Sequence, residues 1–484
     1  MESRGRVPEI DRRAQEEKGS DMYSEDSGAR GRGRGWKAGF GRAGAALTVL
    51  FLVVWAACEN PLQVENPNKL TEQNVSSPEA YGALVGAARN NTVRAGMGML
   101  AFMENATDES FWIGSRDAWQ SLDKGNVADV TNEFVDATWP YVGQARFVVD
   151  KAVILGEQFQ NDGTLPDPEL LAEAYLYGGT LYTLIADTWQ RYIIPTGDGR
   201  LDPTAKGSPI PADQMPALYD TAMAWLSKGA DLTSDDGLKA ELLAMRARAE
   251  QAKQIRLQIQ GGDPTGNDGV VASPNAAADA EAALGLVDAT WSFQLSFDSG
   301  LLGIGCESWA PQVWSRGELQ VGDQPGTGNA YFYLSNSDKN ADSVKIEDPI
   351  DSVVDPVVSS AFAAFRAGGR NAPLTEMSGR ELHLIVAENA LANADTATFA
   401  QHINAVRSMD GLTAWDRTFP QIPAAAILEW ERNANLIWQG RRLADLYRFG
   451  DEDPLWQPGS VAVDAPGTLF PITITEIRSN PNAS

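Results

Sequence analysis

Two stretches of this chain crowd aromatic rings among hydrogen-bonding side chains. The first is Asp108-Glu109-Ser110-Phe111-Trp112 through Trp119, with Arg116, Asp117 and Gln120 interleaved. The second is Glu307-Ser308-Trp309, Gln312, Trp314 and Arg316, continuing to Tyr331 and Tyr333. Sugar rings present flat C–H faces on which an aromatic ring stacks, while neighbouring Asp, Asn, Arg and Gln side chains hydrogen-bond the hydroxyls. Asp108, Trp112, Trp119, Trp309, Trp314, Arg316 and Tyr331 are therefore the candidate ligand-binding residues. The alternative is that these rings plug loop clefts or face a protein partner. Trp139, Trp189, Trp225, Trp430 and Trp438 fall on helical stripes and are expected in the core.

Catalytic and metal chemistry is sparsely represented. Glycoside hydrolysis needs two carboxylates roughly 5–9.5 Å apart in a cleft, for which Glu109 and Glu307 are the possible members. Asn336, Asp338, Asn340 and Asp342 alternate, with Glu347 at the twelfth position, a spacing found in calcium loops. Ala341 replaces the turn glycine, so a solvated polar loop is the preferred reading. His383 and His402, the only two histidines, lie on separate predicted helices, where packing or surface roles are expected. No catalytic residue, metal ligand or cofactor is assigned.

These candidates need elements to position them. Ser77-Pro78-Glu79 opens a helix to about 94, and helical stripes follow at about 129–156, 168–189, 213–229, 238–260 and 274–290. The period fails over 291–373, a segment rich in Gly, Ser, Asn, Asp and Pro. It resumes at the capping-box pair Ser378 and Glu381, then over about 397–409 and 424–449. The fold class is mainly α: helix pairs stacked in series as a tetratricopeptide-like solenoid scaffold, with a large loop-rich insertion carrying the ligand site. The expected parts are an N-terminal helical part (77–290), the insertion (291–373), and a C-terminal helical part with a closing strand (374–484).

The ends of the composition separate further. The chain has 484 residues and a net charge of -26, with 39 basic against 65 acidic side chains and two cysteines. An acidic surface disfavours nucleic acid and anionic membrane, and two cysteines make no disulfide framework. Residues 1–57 hold 10 basic and 8 acidic residues, and the acidic ones all precede Ser27. Arg30, Arg32, Arg34, Lys37 and Arg42 then lead into the apolar run Ala45 to Ala57, too short to span a bilayer but suited to a signal-peptide core. The run ends at Trp55-Ala56-Ala57-Cys58, which resembles the lipobox of bacterial lipoproteins, although Trp55 stands where Leu is usual. Residues 1–57 read as leader and lipoprotein signal peptide, with translation starting at Met22 as a hypothesis. Cys58 is the lipidation site and 58–76 a lipidated tether. An ordinary signal peptide ahead of a chance cysteine is the alternative. Cys306, in an apolar stretch, reads as a buried structural thiol.

The predicted helix 424–449 carries Glu431-Arg432, Leu436, Gly440, Arg442, Asp445-Leu446 and Arg448. Arg442, Asp445 and Arg448 are three residues apart, so one carboxylate can bridge two guanidinium groups as a structural ion pair. Gly440 inside a helix costs about 1 kcal/mol relative to Ala, pointing to close packing there. Here the sequence resembles the C-terminal signature of the SusD/RagB family of outer-membrane nutrient-binding lipoproteins. Asn435 and Gln439 replace acids usual in that family. Glu381-Leu382 with Ala387-Glu388, Ile403-Asn404 with Val406-Arg407, Gly411-Leu412 and the end Leu469-Phe470-Pro471-Ile472 are similar too, as are Cys58, Leu62, Asn66-Pro67-Asn68 and Ala172-Glu173-Ala174. The resemblance spans 58–482 and is strongest over 378–482.

It implies four tetratricopeptide-like helix pairs as scaffold. It also implies a surface-anchored lipoprotein that captures oligomeric nutrient, a glycan or a peptide, and hands it to a TonB-dependent SusC-like transporter, touching the membrane only through its lipid. The rival classes are an α-helical glycoside hydrolase and a tetratricopeptide-type scaffold lipoprotein.

Overall fold

Helix starts in this chain are marked by short polar side chains, often followed by proline, and the structure, a computed structural model, uses them. It describes residues 76–261, 269–296, 308–321, 346–418 and 421–483, and the backbone alone at 332–335 and 338–344. The Asp167 carboxylate accepts the Glu169 N–H ahead of Pro168, and Asn132, Asp235 and Ser378 cap in the same way. The helices that follow are α1 (Tyr81–Asn105), α2 (Asp117–Asp123), α3 (Glu133–Asn161), α4 (Pro168–Thr188), α5 (Ala217–Leu232), α6 (Asp236–Gln260) and α7 (Pro274–Leu284). After the insertion come α8 (Pro356–Gly368), α9 (Gly379–Ala392), α10 (Thr396–Met409), α11 (Ala424–Asn435) and α12 (Arg442–Phe449).

Among the described residues the long helices pack as α1 with α3, α4 with α5, α6 with α7, and α9 with α10. This is the expected mainly α architecture of helix pairs in series. Buried Leu, Val, Ala, Tyr and Trp side chains form one core along the pairs, and a second, smaller core under α9, α10 and α11 is built on Phe399, Ile403, Trp415 and Ile427. Close helix approach has a local cause at α4. A Cβ on Gly178 would lie 2.8 Å from Trp225 Cε3 of α5, so a larger residue there would force the two helices apart.

The insertion is closed at its base by strands β2 (Ser292–Leu295) and β6 (Leu374–Ser378), antiparallel with Ser292 opposite Ser378. Between them lie β3 (Leu319–Gln320), β4 (Phe332–Ser335) and β5 (Asp338–Val344), while β1 (Phe111–Trp112) precedes α2. Helix α8 was not expected within this segment; Asp355 caps it, with Pro356 in its first turn, and Phe362 and Phe365 are buried on it. The segment read as a polar loop is also different: Asp338–Val344 is extended and pairs antiparallel with β4. Asn336 lies outside the described residues.

The predicted helix 424–449 is two helices. Trp438 and Gly440 stand at φ 56° and 74°, the left-handed region, and turn the chain between Asn435 and Arg442. Gly440 is thus needed for its backbone angle rather than for close helix packing. Gly440→Ala is expected to cost about 1–2 kcal/mol, read as a lower urea midpoint at unchanged m-value. The break also redirects the ion pairs. Asp445 bridges Arg432, at 2.9 Å, and Arg448, at 2.7 Å, instead of Arg442. The closing strand is reduced to one parallel bridge between Phe470 and Trp189, followed by the short helix Ile474–Ser479.

Candidate functional site

The two aromatic-rich stretches meet. Strands β1 and β3 pair antiparallel, Phe111 opposite Gln320 and Trp112 opposite Leu319. The ladder continues as Ile113 and Gly114 donate their N–H groups to the Glu318 carbonyl at 3.0 and 3.2 Å. The Glu318 carboxylate then accepts the N–H groups of Ser115 and Arg116, at 2.8 and 3.0 Å, and the Ser115 hydroxyl at 3.1 Å. A buried acid thereby fixes the loop 113–116 against the other stretch. Gly317, at φ 66°, makes the turn from the short helical segment Trp309–Arg316 into β3.

Below this junction the rings are packed together. Trp309 stacks on Phe365 of α8 with centroids 5.6 Å apart, Trp314 lies 5.1 Å from Phe365, and Phe365 lies 4.9 Å from Trp438. Trp309 and Trp314 are 3% and 8% exposed, so neither offers a face to a ligand in this structure. Trp119 is fully buried and stacks on Phe134 at 3.9 Å. These three belong to the floor rather than to an open platform, because pairing β1 with β3 folds both loops onto helices that cover them. Asp108 holds Arg442 through two 2.8 Å hydrogen bonds, which makes it a tie between loop and helix. Trp112 is half-buried, and Ile113, Ser115, Arg116, Asp117, Ser315 and Arg316, on the segments beside the paired strands, are exposed. Tyr331, Glu307, Cys306 and Cys58 lie outside the described residues.

Two further acids fix the floor. Trp438 donates its N–H to Glu109 Oε2 at 2.8 Å and its Nε1–H to the Glu109 carbonyl at 3.2 Å, while Gly440 N–H donates to Glu104 Oε1 at 2.8 Å. The end of α1 therefore clamps the left-handed turn. Both acids are buried. Burial first, then the charge of Glu104, pushes Glu109 well above the usual carboxylate range, and burial raises Glu104 as well. A raised carboxyl binds more protons folded than unfolded, so its stabilisation is complete below the unfolded value near 4.5 and is lost as pH rises toward the folded one. Glu109→Gln keeps an uncharged amide in that place. Its stability relative to the parent is expected to improve from pH 5 to pH 8, measured by urea unfolding at both. Glu109 is thus buried and held by Trp438.

No protein-family model matches the sequence, and no curated protein matches it. Solved structures do match by shape. A SusD superfamily protein from Parabacteroides distasonis ATCC 8503 superposes with a TM-score of 0.57 at 16% identity, over 84% of this chain and 98% of that one. This chain has the SusD fold. A SusD homolog from Bacteroides thetaiotaomicron VPI-5482 gives 0.56 at 15% identity over 86% and 98% of the two chains. A SusD-like carbohydrate binding protein from Bacteroides vulgatus ATCC 8482 gives 0.51 at 12% identity over 84% and 97%.

Within this SusD fold, sequence reasoning named the two loops but missed the residues that join them. Glu318 carried only a weak signal, an acid one residue after the turn-forming Gly317. Phe365 was hidden in a helix not foreseen, and Trp438 was assigned to a helical stripe. An interior cavity of about 50 Å³ between α6 and α12 is lined by Arg248, Arg256, Arg441, Asp187 and Glu381. It has room for a few waters and none for a sugar. The rim at Trp112 combines a half-buried ring with exposed polar side chains, and an open cleft of about 490 Å³ is lined by Glu157, Gln160, Asn161, Tyr175, Lys228 and Asp231.

Proposed function

We propose that this chain is a surface-anchored, substrate-binding lipoprotein of the SusD/RagB family. It captures oligomeric nutrient, a glycan in the first instance, and passes it to a TonB-dependent SusC-like transporter in the outer membrane. The observation that carries this reading is the β1–β3 junction, which brings half-buried Trp112 and exposed Ser115, Arg116, Asp117 and Arg316 onto adjoining segments. A flat ring edged by donors and acceptors matches the alternating C–H faces and hydroxyls of a sugar chain. The SusD fold supports it, as does the name of the Bacteroides vulgatus neighbour, a carbohydrate binding protein.

The anchoring follows from the leader ending at Trp55-Ala56-Ala57-Cys58, with lipid on Cys58 as the membrane contact. No helix among the described residues is long and apolar enough to cross a membrane. Calorimetric titration of the purified chain with a panel of oligosaccharides and peptides tests the reading. Saturable binding of one class without turnover supports it. Turnover that co-purifies with the chain replaces it with the hydrolase, and silence across both panels leaves the scaffold lipoprotein.

A further inference from the structure

The chain contains two histidines in 484 residues, and the fold brings them into contact. His383 on α9 and His402 on α10 are 19 residues apart in sequence, and their Nδ1 atoms lie 3.0 Å from each other. The ring centroids are 5.1 Å apart with the planes inclined at 52°. His402 is buried and His383 half-buried, so the pair sits at the edge of the helix hairpin, open on one side.

An imidazole Nδ1 carries either a proton or a lone pair. Two such atoms at hydrogen-bond distance can share one proton, or both can direct lone pairs at one cation. A tetrahedral ion about 2.0–2.1 Å from each nitrogen requires the nitrogens to stand roughly 3.3 Å apart. That is about 0.3 Å wider than the observed separation, so both side chains must rotate to admit the ion between their lone pairs. We propose that His383 and His402 form a binding site for a late first-row divalent ion, Zn²⁺ or Cu²⁺, held between their Nδ1 atoms. Neutral nitrogen ligands suit these ions and are unsuited to Ca²⁺ or Mg²⁺, which demand oxygen.

One carboxylate lies in the neighbourhood of the pair without pairing directly to it. Exposed Glu281 on α7, the helix packed against α9, acts electrostatically on His402. Among the described residues no three metal-ligating side chains already converge. The ion is therefore held by two imidazoles with solvent filling the remaining positions, and binding is expected to be weaker than at a closed four-ligand site. None of these three residues takes part in the β1–β3 rim, so the site is independent of the glycan reading.

The test uses the untagged full chain, titrated calorimetrically with ZnCl₂ and CuCl₂, and Cu²⁺ electron paramagnetic resonance to count coordinating nitrogens. One equivalent of metal with two nitrogen couplings is expected, and none with CaCl₂. His383→Gln and His402→Gln should each weaken binding at least 10-fold and remove one nitrogen coupling, and Glu281→Gln should weaken it a few-fold or less. Thermal melts without metal verify that the variants fold; should buried His402→Gln fail, half-buried His383→Gln decides. Absence of binding, or binding that persists in a folded His383→Gln variant with two nitrogen couplings, overturns the proposal.

Discussion

Arg448→Met is expected to destabilise the protein by about 3–5 kcal/mol, because it removes one member of a buried ion network and leaves the others charged. Arg448 is fully buried on α12. Its Nε–H donates to Asp445 at 2.7 Å, Nη1 donates to the Gly269 carbonyl at 3.0 Å and to Glu388 Oε1, and Nη2 donates to Glu388 Oε2 at 3.2 Å. Glu388 on α9 also accepts Gln251 from α6 and the Val271 N–H, each at 3.0 Å. One guanidinium thus joins α12 and α9 to the segment after α6. Met fills similar volume but supplies no donor, so Glu388 loses its principal counter-charge inside the core. The contrast is Arg116→Ala. Arg116 and Glu133 pair at 3.0 Å with side chains 45% and 49% exposed, where the expected loss is below about 1 kcal/mol. Urea unfolding of both variants decides the matter. Equal losses would show that burial of the network contributes nothing beyond a surface pair.

The second large effect concerns the rim. Trp112→Ala is expected to weaken glycan binding by about 30-fold or more, and Arg316→Ala by about 10-fold, the range of a central aromatic contact and of a charged hydrogen-bond donor at an interface. Arg316 is exposed, so its unfolding midpoint should move little, whereas Trp112 packs against the core and its removal also lowers the midpoint, so its affinity is read on the folded fraction. Trp309→Ala and Trp119→Ala should behave oppositely. Emptying a buried indole site costs about 3–5 kcal/mol of stability, while the fraction that remains folded should bind with near-parental affinity. Calorimetry on each variant at a temperature well below its melt separates the two patterns. If Trp112→Ala binds as the parent does, the ligand surface is elsewhere on the chain.

Much of the scaffold was legible in the residues themselves. The stripes on α1, α3, α4, α5, α6, α9 and α10 recur at the helical period, and their starts carry a capping side chain or a proline. Helix α8 was missed although Asp355-Pro356 is an N-cap signal of the same kind, because the surrounding Gly, Ser and Asp obscured its four buried apolar positions. The break at Trp438 and Gly440 was missed for a different reason. A glycine within a helical stripe reads equally as a costly interior residue or as a left-handed turn, and only the buried acceptors Glu104 and Glu109, more than 300 residues earlier, make the turn favourable.

What the sequence determined by itself is therefore local: helix periodicity, capping, an acidic chain behind a basic apolar leader, and two loops dense in aromatic residues. Whether a given tryptophan is floor or rim depends on what a distant segment places over it. Trp119 and Trp309 differ from Trp112 in their neighbours, not in their type or spacing. The same holds for His383 and His402, read separately as packing residues and brought to 3.0 Å by the pairing of α9 with α10. Burial and convergence are properties of pairs of segments, and the tertiary structure alone decides which segments meet.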